Sequence, residues 1–308
     1  MRISTFVPIL SLVMFVLAVP LSVSAQRGAA TLAYQLTHVD TGEPFPSPDG
    51  KKIVFEISIA GFYQLFIMNT DGSGPTQITH DPASHDTPSW SPDGHKIAYV
   101  SDRTGHSVIY MINPDGTGDE RLTDDHHEYI HPTWSPDSAK IIYCSDDDLK
   151  PPAKNASEIY SLDLKTRQAT ALITGGTNTY PSWSPDGKKI VFRRIIGDMN
   201  SEVFVANSDG SGQQNLTNHT AFDGWPAWSP DGSQIAFGSN RNANYQIFTM
   251  NPDGTNVRLV ADTEGRATEP RWFPDGKTIY FTNCRKVDWG VDCQVFTAKL
   301  DQRIPSHP

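Results

Sequence analysis

Short hydrophobic runs that alternate with Pro-Asp-Gly turns dominate this chain after its first residues. In one stretch, residues 96–100 and 108–112 are runs of β-branched and aromatic residues, which favour strands. The turn Ser91-Pro92-Asp93-Gly94 precedes the first run, with proline presetting φ and glycine taking the left-handed position. A strand containing Trp90 before this turn and a short charged strand at residues 119–123 complete a predicted unit of four strands.

This unit recurs six times, so the fold is predicted by repetition. The repeats are marked by Pro48-Asp49, Pro92-Asp93, Pro136-Asp137, Pro185-Asp186, Pro230-Asp231 and Pro274-Asp275. The marker prolines are 44–49 residues apart. A strand-rich period of about 40–45 residues is typical of a β-propeller blade. We therefore predict an all-β fold, a six-bladed β-propeller of four-stranded antiparallel blades.

The two ends of the repeat region predict how the ring closes. The sixth repeat stops after its third strand, around residues 294–298, whereas an unpaired outer strand begins the region at residues 32–37. We expect this N-terminal strand to complete the last blade, which would close the ring and cover two exposed strand edges. One departure from the repeat is Ser138, which replaces the turn glycine of the third repeat at an expected cost of about 1 kcal/mol.

The first residues have a different character from the repeats. Arg2 precedes an apolar run from Phe6 to Val19, and Val23-Ser24-Ala25 is a small-residue cleavage site. This pattern predicts a secretory signal peptide over residues 1–25. An uncleaved anchor is the alternative, because the apolar stretch is long enough to span a bilayer. We assign residues 26–31 to a short linker, 32–301 to the propeller and 302–308 to a C-terminal tail.

Charge and cysteine content restrict the partners and the compartment. The chain has 25 basic and 35 acidic residues, a net charge of −10, and no basic run, which argues against nucleic acid and anionic membrane surfaces. Cys284 and Cys293 flank a short loop and are expected to form a disulfide in an oxidising compartment. Cys144 lies in an apolar strand and is expected to be an inert core thiol.

The repeat core also resembles a known family. It reads Pro-x-Trp-Ser-Pro-Asp-Gly followed by Ile-x-Phe, as in residues 181–192 and 226–237. This resembles the WD40-like PD40 repeat of the TolB β-propeller, over about residues 32–301. The resemblance implies a periplasmic protein of the cell envelope whose propeller docks a protein partner. TolB carries a further N-terminal α/β domain, and we expect this chain to be a propeller-only relative.

Six residues precede the inner-strand prolines and are expected near one mouth of the channel. These mouth residues are Glu43, Thr87, His131, Tyr180, Trp225 and Glu269. Their aromatic and acidic side chains favour recognition of a protein or sugar, although packing between blades is an alternative for Tyr180 and Trp225. The residues between proline and tryptophan are mostly small, as a crowded axis requires: Phe45, Ser89, Thr133, Ser182, Ala227 and Arg271.

Histidines provide the enzyme alternative. Residues 127–131 match H-E-x-x-H, but this zinc-protease motif needs a helix, and here the segment runs into an inner strand. A looser metal site is conceivable because six histidines fall in loops on one predicted face: His80, His85, His126, His127, His131 and His219. Oligogalacturonate lyases resemble this chain more weakly and use a histidine-bound metal on a propeller.

We therefore predict a non-enzymatic, secreted or periplasmic scaffold that binds a protein or peptide at the cell envelope through one face and the channel mouth. We expect a monomer without cofactor, catalytic residue, bound metal or membrane insertion after signal cleavage. The alternatives are a metal-dependent carbohydrate lyase or hydrolase with a histidine-lined site at the same mouth, and a structural envelope component without a discrete ligand.

Overall fold

The protein folds as a ring of six four-stranded blades around a central channel. The structure is a computed structural model that describes residues 31–37, 40–146, 157–197, 200–287 and 290–303. The predicted signal peptide, residues 26–30 of the predicted linker and residues 304–308 of the predicted tail lie outside the described residues. None of the described segments contains a helix of the length and hydropathy needed to cross a membrane.

All regular structure in the described part of the chain is β-strand. The strands are β1 (Thr31–Gln35), β2 (Thr41–Pro46), β3 (Lys52–Ile59), β4 (Phe62–Asn69), β5 (Thr76–Gln77), β6 (His85–Trp90), β7 (Ile97–Ser101), β8 (Val108–Ile112), β9 (Glu120–Arg121), β10 (Glu128–Trp134), β11 (Lys140–Asp146), β12 (Glu158–Asp163), β13 (Ala169–Ile173), β14 (Thr177–Trp183), β15 (Lys189–Gly197), β16 (Asn200–Asn207), β17 (Gln214–Asn215), β18 (Asp223–Trp228), β19 (Ile235–Ser239), β20 (Gln246–Met250), β21 (Arg258–Ala261), β22 (Arg266–Trp272), β23 (Thr278–Val287) and β24 (Gly290–Arg303).

Each of the first five blades is a meander of four consecutive strands, and the sixth blade is completed from the N-terminus. Blades 1 to 5 contain β2–β5, β6–β9, β10–β13, β14–β17 and β18–β21, and blade 6 contains β22, β23, β24 and β1. Strand β1 lies antiparallel to β24, with Tyr34 opposite Thr297 and Gln35 opposite Phe296. The predicted six-bladed fold and its closure by the N-terminal strand are confirmed.

The hydrophobic core lies between neighbouring blades. One core cluster, for example, joins Val54 and Leu65 of blade 1 to Ile97 and Tyr99 of blade 2, all of them fully buried. Each blade therefore buries both of its faces, as the runs of branched and aromatic residues in the second and third strands predict.

The Ser-Pro-Asp-Gly motif forms the turn between the first and second strands. In blade 2, the Ser91 hydroxyl donates to Asp93 Oδ1 at 2.6 Å and accepts from the Lys96 backbone N–H at 2.9 Å. In blade 3, Ser138 takes the left-handed position with φ of 58°, as predicted, and its hydroxyl accepts from the Asp93 backbone N–H at 3.2 Å. The extra hydroxyl thus links two blades at the position where the other repeats have glycine.

The alternating strand directions give the ring two distinct faces. We call the face that carries the Ser-Pro-Asp-Gly turns the turn face. The first strand of each blade begins on the opposite face. Because adjacent strands are antiparallel, the hairpin between the second and third strands also lies on that opposite face. This opposite side, named the loop face, includes the β3–β4, β15–β16 and β23–β24 connections.

Candidate functional site

The six predicted mouth residues share an unusual backbone conformation. All six have positive φ, between 48° and 56°, although none is glycine. Each also coincides with a register shift, a β-bulge, in the pairing of the inner strand with its neighbour. A left-handed non-glycine residue costs about 1–2 kcal/mol. This conformational cost recurs in every blade. Bulges of this kind change the direction in which a side chain points.

These six residues lie inside the channel, between two cavities. The turn-side cavity has a volume of about 390 Å³ and is lined by the motif tryptophans Trp90, Trp134, Trp183, Trp228 and Trp272. The loop-side cavity, about 580 Å³, opens on the loop face. Glu43 and Tyr180 line both cavities. We call the six residues the channel ring, since the structure places them in the channel interior and not on an exposed rim.

One half of the channel ring is aromatic. The rings of His131 and Tyr180 have their centroids 3.6 Å apart, and Tyr180 meets Trp225 edge to face at 6.1 Å. Trp225 is only 4% exposed and packs against Phe222 and Tyr245 at 4.8 and 5.9 Å. Trp225 is therefore packed mainly within blade 5 and lines the loop-side cavity, whereas the partly exposed Tyr180 lines both cavities.

The other half of the channel ring consists of two acids, Glu43 and Glu269, and Thr87. Glu43 and Glu269 approach the same hydroxyl, because Thr282 Oγ1 accepts from the Glu43 backbone N–H at 3.0 Å and hydrogen-bonds the Glu269 carboxylate. Burial raises the pKa of Glu43 well above its usual value, and the charges of Glu269 and Glu56 raise it further. Burial also raises the pKa of Glu269, although Arg271 opposes that shift.

Two further acids extend this cluster outside the channel ring. Burial and the nearby charge of Asp86 raise the pKa of Glu56 well above its usual value. Burial and the charge of Asp102 raise the pKa of Asp86 to about 7. The cluster therefore resists full ionisation at neutral pH, which is a property expected of functional sites.

We expect Asp86→Asn to stabilise the protein at pH 8 and to leave its stability unchanged near pH 4. A carboxyl whose folded-state pKa is raised loses stability as the pH rises from about 4 towards about 7, because ionisation is harder in the folded state. The neutral amide removes that loss, so the melting temperature at pH 8 should rise by about 2–4 °C for each kcal/mol recovered.

Asp71 gives a control of the opposite sign. Hydrogen bonds from the Ser73 hydroxyl and backbone N–H lower the pKa of this turn carboxyl. Asp71→Asn should therefore not stabilise the protein at pH 8. Thermal melts of both variants between pH 4 and 8 test the sign, and a pH-independent effect of Asp86→Asn would contradict it.

The residues predicted between proline and tryptophan all line the turn-side cavity. They are Phe45, Ser89, Thr133, Ser182, Ala227 and Arg271. Phe45 and Arg271 are the exceptions to their small size, and the guanidinium carbon of Arg271 lies 5.6 Å from the centre of the Phe45 ring.

The histidines do not converge. Within the described ranges, no group of three His, Cys, Asp or Glu side chains could hold a metal ion. Glu128 of the H-E-x-x-H match begins a strand, and its carboxylate accepts from the Ser107 backbone N–H at 2.7 Å and lies 2.8 Å from His106 Nδ1. His85 is fully buried against Asp81. His131 is the one histidine of this set in the channel ring.

The cysteines occupy two different environments. Cys284 and Cys293 form a disulfide between directly paired positions of β23 and β24, and both line the loop-side cavity. Cys144 is fully buried, with its sulfur 3.8 Å from Nδ1 of His131. The disulfide thus ties together the longest hairpin of the loop face.

Sequence reasoning missed Glu56, Asp86 and Tyr63. Glu56 lies on the second strand of blade 1, opposite Gly42, and lines the loop-side cavity together with Tyr63. A sequence signal for Glu56 did exist, since a single acid interrupts the apolar run Ile53-Val54-Phe55-Glu56-Ile57. Its direction toward the channel depends on cross-strand register, which the repeat pattern alone does not define.

Comparisons with known proteins agree with this architecture. The family model described as PD40, TolB beta propeller domain, matches residues 31–153 and 152–304. A 44-residue segment is 43% identical to the Tol-Pal system protein TolB of Anaeromyxobacter dehalogenans, which is 14% of this chain and 10% of that protein. The match to this curated relative thus spans about a tenth of the relative's length.

Solved structures share the fold at low sequence identity. The structure of putative TolB from Agrobacterium tumefaciens is 24% identical, with a TM-score of 0.68 over 88% of this chain and 92% of that one. An oligogalacturonate lyase from Vibrio parahaemolyticus is 13% identical, with a TM-score of 0.61 over 87% of this chain and 93% of the lyase. At these identities the likeness concerns the fold alone.

Proposed function

The chain belongs to the TolB β-propeller family, and from this premise we propose that it is a non-enzymatic, secreted or periplasmic scaffold that binds a protein or peptide at the cell envelope. The binding surface is the loop face, with the loop-side cavity at its centre. Four members of the channel ring line this cavity: Glu43, Tyr180, Trp225 and Glu269.

One observation carries this proposal: exposed apolar side chains are concentrated on the loop face. Seven large hydrophobic residues are exposed in the described part of the chain, and five of them lie on loop-face hairpins. These five are Ile59, Phe62, Tyr63, Ile196 and Val291. Tyr63 and Val291 also line the loop-side cavity. Exposed apolar side chains around a polar cavity are a feature of protein-binding surfaces.

Truncation of Tyr180 or Tyr63 should weaken the capture of a partner. We expect Tyr180→Ala and Tyr63→Ala each to cost about 2 kcal/mol of binding, roughly thirtyfold in affinity, if these tyrosines anchor the partner. The measurement is a crosslinked pull-down of the tagged protein from its own cell envelope, with recovered proteins identified by mass spectrometry and their affinities measured with purified protein.

Two controls separate binding from folding. Val257 is also exposed but follows a turn-face loop, so Val257→Ala should leave capture unchanged. Trp225→Ala should instead destabilise the fold by about 3–5 kcal/mol, because it empties a buried aromatic site. Equal capture by wild type and both tyrosine variants would contradict the assignment of the loop face. Capture of no partner, together with a stoichiometric ion that survives dialysis, would favour the metal-dependent lyase or hydrolase.

A further inference from the structure

Glu56 is a buried carboxylate with an unused hydrogen-bonding oxygen. The residue is 8% exposed and lines the loop-side cavity. Its Oε2 is buried and has no hydrogen-bond partner among the described residues. An unpaired carboxylate oxygen in such a position is costly, because burial removes its water without supplying a donor. A donor brought into the cavity by a ligand would remove that cost.

Around this oxygen, the acidic side chains of the cavity are less exposed than its basic side chains. The acids Glu43 and Glu269 line the same cavity and are only partly exposed, whereas its basic residues are exposed on the loop face: Arg266, Arg285 and Lys286. Arg266 lies over the rings of Tyr245 and Trp225, at 4.5 and 5.6 Å from their centres. None of the salt bridges found within the described ranges involves Glu43, Glu56 or Glu269.

The shape of the cluster selects against a metal ion. A divalent cation needs several donors within about 2.0–2.6 Å of one point, and the described acids and histidines form no such group. A guanidinium group is better matched, because it is planar, carries five N–H donors and stacks on aromatic rings. The loop-side cavity supplies carboxylates together with the rings of Tyr63 and Tyr180, in a volume of about 580 Å³.

We propose that the loop-side cavity binds an arginine side chain of the partner, with the guanidinium donating to Glu56 Oε2 and to the carboxylates of Glu43 and Glu269. This inference rests on the proposed function and specifies what the partner inserts into the channel. Burial raises the pKa of all three acids, and neighbouring carboxylates raise the pKa of Glu43 and Glu56 further. A cation placed among them relieves this repulsion. The partner is therefore expected to present arginine on an exposed or extended segment.

A matched pair of peptides tests this inference by calorimetry. The probes are acetyl-Gly-Arg-Gly-amide and acetyl-Gly-citrulline-Gly-amide, which have the same shape but differ in charge. We expect saturable binding of the arginine peptide and at least tenfold weaker binding of the citrulline peptide, because charge-assisted hydrogen bonds to carboxylates are lost. Glu56→Gln should weaken binding of the arginine peptide about tenfold.

Glu120→Gln is the matched control, since Glu120 lies on the exposed outer strand β9 and should leave binding unchanged. Glu56→Gln should fold with an unchanged or higher melting temperature, because it removes a buried carboxyl whose ionisation is unfavourable. If it fails to fold, Glu269→Gln replaces it. Equal binding of the two peptides, or binding of neither at about 10 mM, overturns the inference. So does arginine-peptide binding that neither glutamine variant weakens.

Failure of this inference is distinguishable from failure of the proposed function. If the envelope pull-down recovers a partner through Tyr180 and Tyr63 while the arginine peptide does not bind, the scaffold function stands and the arginine site is wrong. If the arginine peptide binds as expected but no partner is recovered, the cation site stands and the scaffold function is wrong.

Discussion

Deletion of residues 26–37 is expected to lower the melting temperature by about 10 °C or more. The deletion removes β1, the fourth strand of blade 6, and exposes the edge of β24. It also removes Leu36, which packs against the core between blades 6 and 1 and whose backbone N–H donates to the Val295 carbonyl at 2.8 Å. The first and last blades would then have to stay together without the strand that joins them.

Thr37 adds a buried polar link to this closure. Its hydroxyl accepts from the Val295 backbone N–H at 2.9 Å and lies 2.6 Å from the Thr41 hydroxyl at the start of blade 1. One residue thus connects the closing strand, blade 6 and blade 1. Loss of Thr37 would leave a buried donor unpaired, which costs about 1–3 kcal/mol in itself.

The matched control is deletion of residues 26–30 only, which leaves β1 intact and should not change the melting temperature. Thermal unfolding followed by circular dichroism compares the two deletions. A synthetic peptide of residues 31–37, added to the longer deletion, should restore part of the lost stability by binding in the empty position. Identical melts for the two deletions would show that the ring closes without the N-terminal strand.

Gly210→Ala is expected to destabilise the protein by about 3 kcal/mol or more, from two combined causes. Gly210 has φ of 85°, a conformation that alanine rarely adopts. A Cβ at this position would also lie 1.8 Å from the backbone oxygen of Leu172 in the preceding blade. Because that neighbour is backbone and cannot rotate away, blades 3 and 4 would have to separate locally.

Gly105→Ala separates the two causes. Gly105 has nearly the same φ, 89°, but a Cβ there would meet no atom within 4 Å. This variant should lose only the conformational cost of about 1 kcal/mol. Urea unfolding of both variants gives the difference, which measures the contact between neighbouring blades. Equal losses for Gly105→Ala and Gly210→Ala would show that this contact contributes nothing.

The fold could be read from the sequence because the repeat is local. Each Ser-Pro-Asp-Gly turn is stabilised by bonds within six residues, as between Ser91, Asp93 and Lys96. Six Pro-Asp turns at a regular spacing, four of them Ser-Pro-Asp-Gly, define six units with a similar hydrophobic pattern. A unit that cannot bury both faces alone must stack against its neighbours. Even Ser138, which replaces the turn glycine of the third repeat, adopts the conformation that its place in the repeat predicts.

The candidate site was predictable only in part. The position before each inner-strand proline occurs once per repeat, and the residues at these positions share a positive φ and line the two cavities. Their left-handed conformation and their depth in the channel were not visible in the sequence. Both depend on bulges in strand pairing, which arise from contacts between strands and not from any one residue type.

The sequence alone determined the number of blades, the turns between their strands and the identity of the closing strand, because these depend on local propensity and on repetition along the chain. Only the tertiary structure decided that Trp225 is buried packing, that Glu56 joins Glu43 and Glu269 in one cavity, and that the exposed apolar hairpins share the loop face. These features bring together residues from different blades, and their burial and charge interactions exist only after the ring has closed.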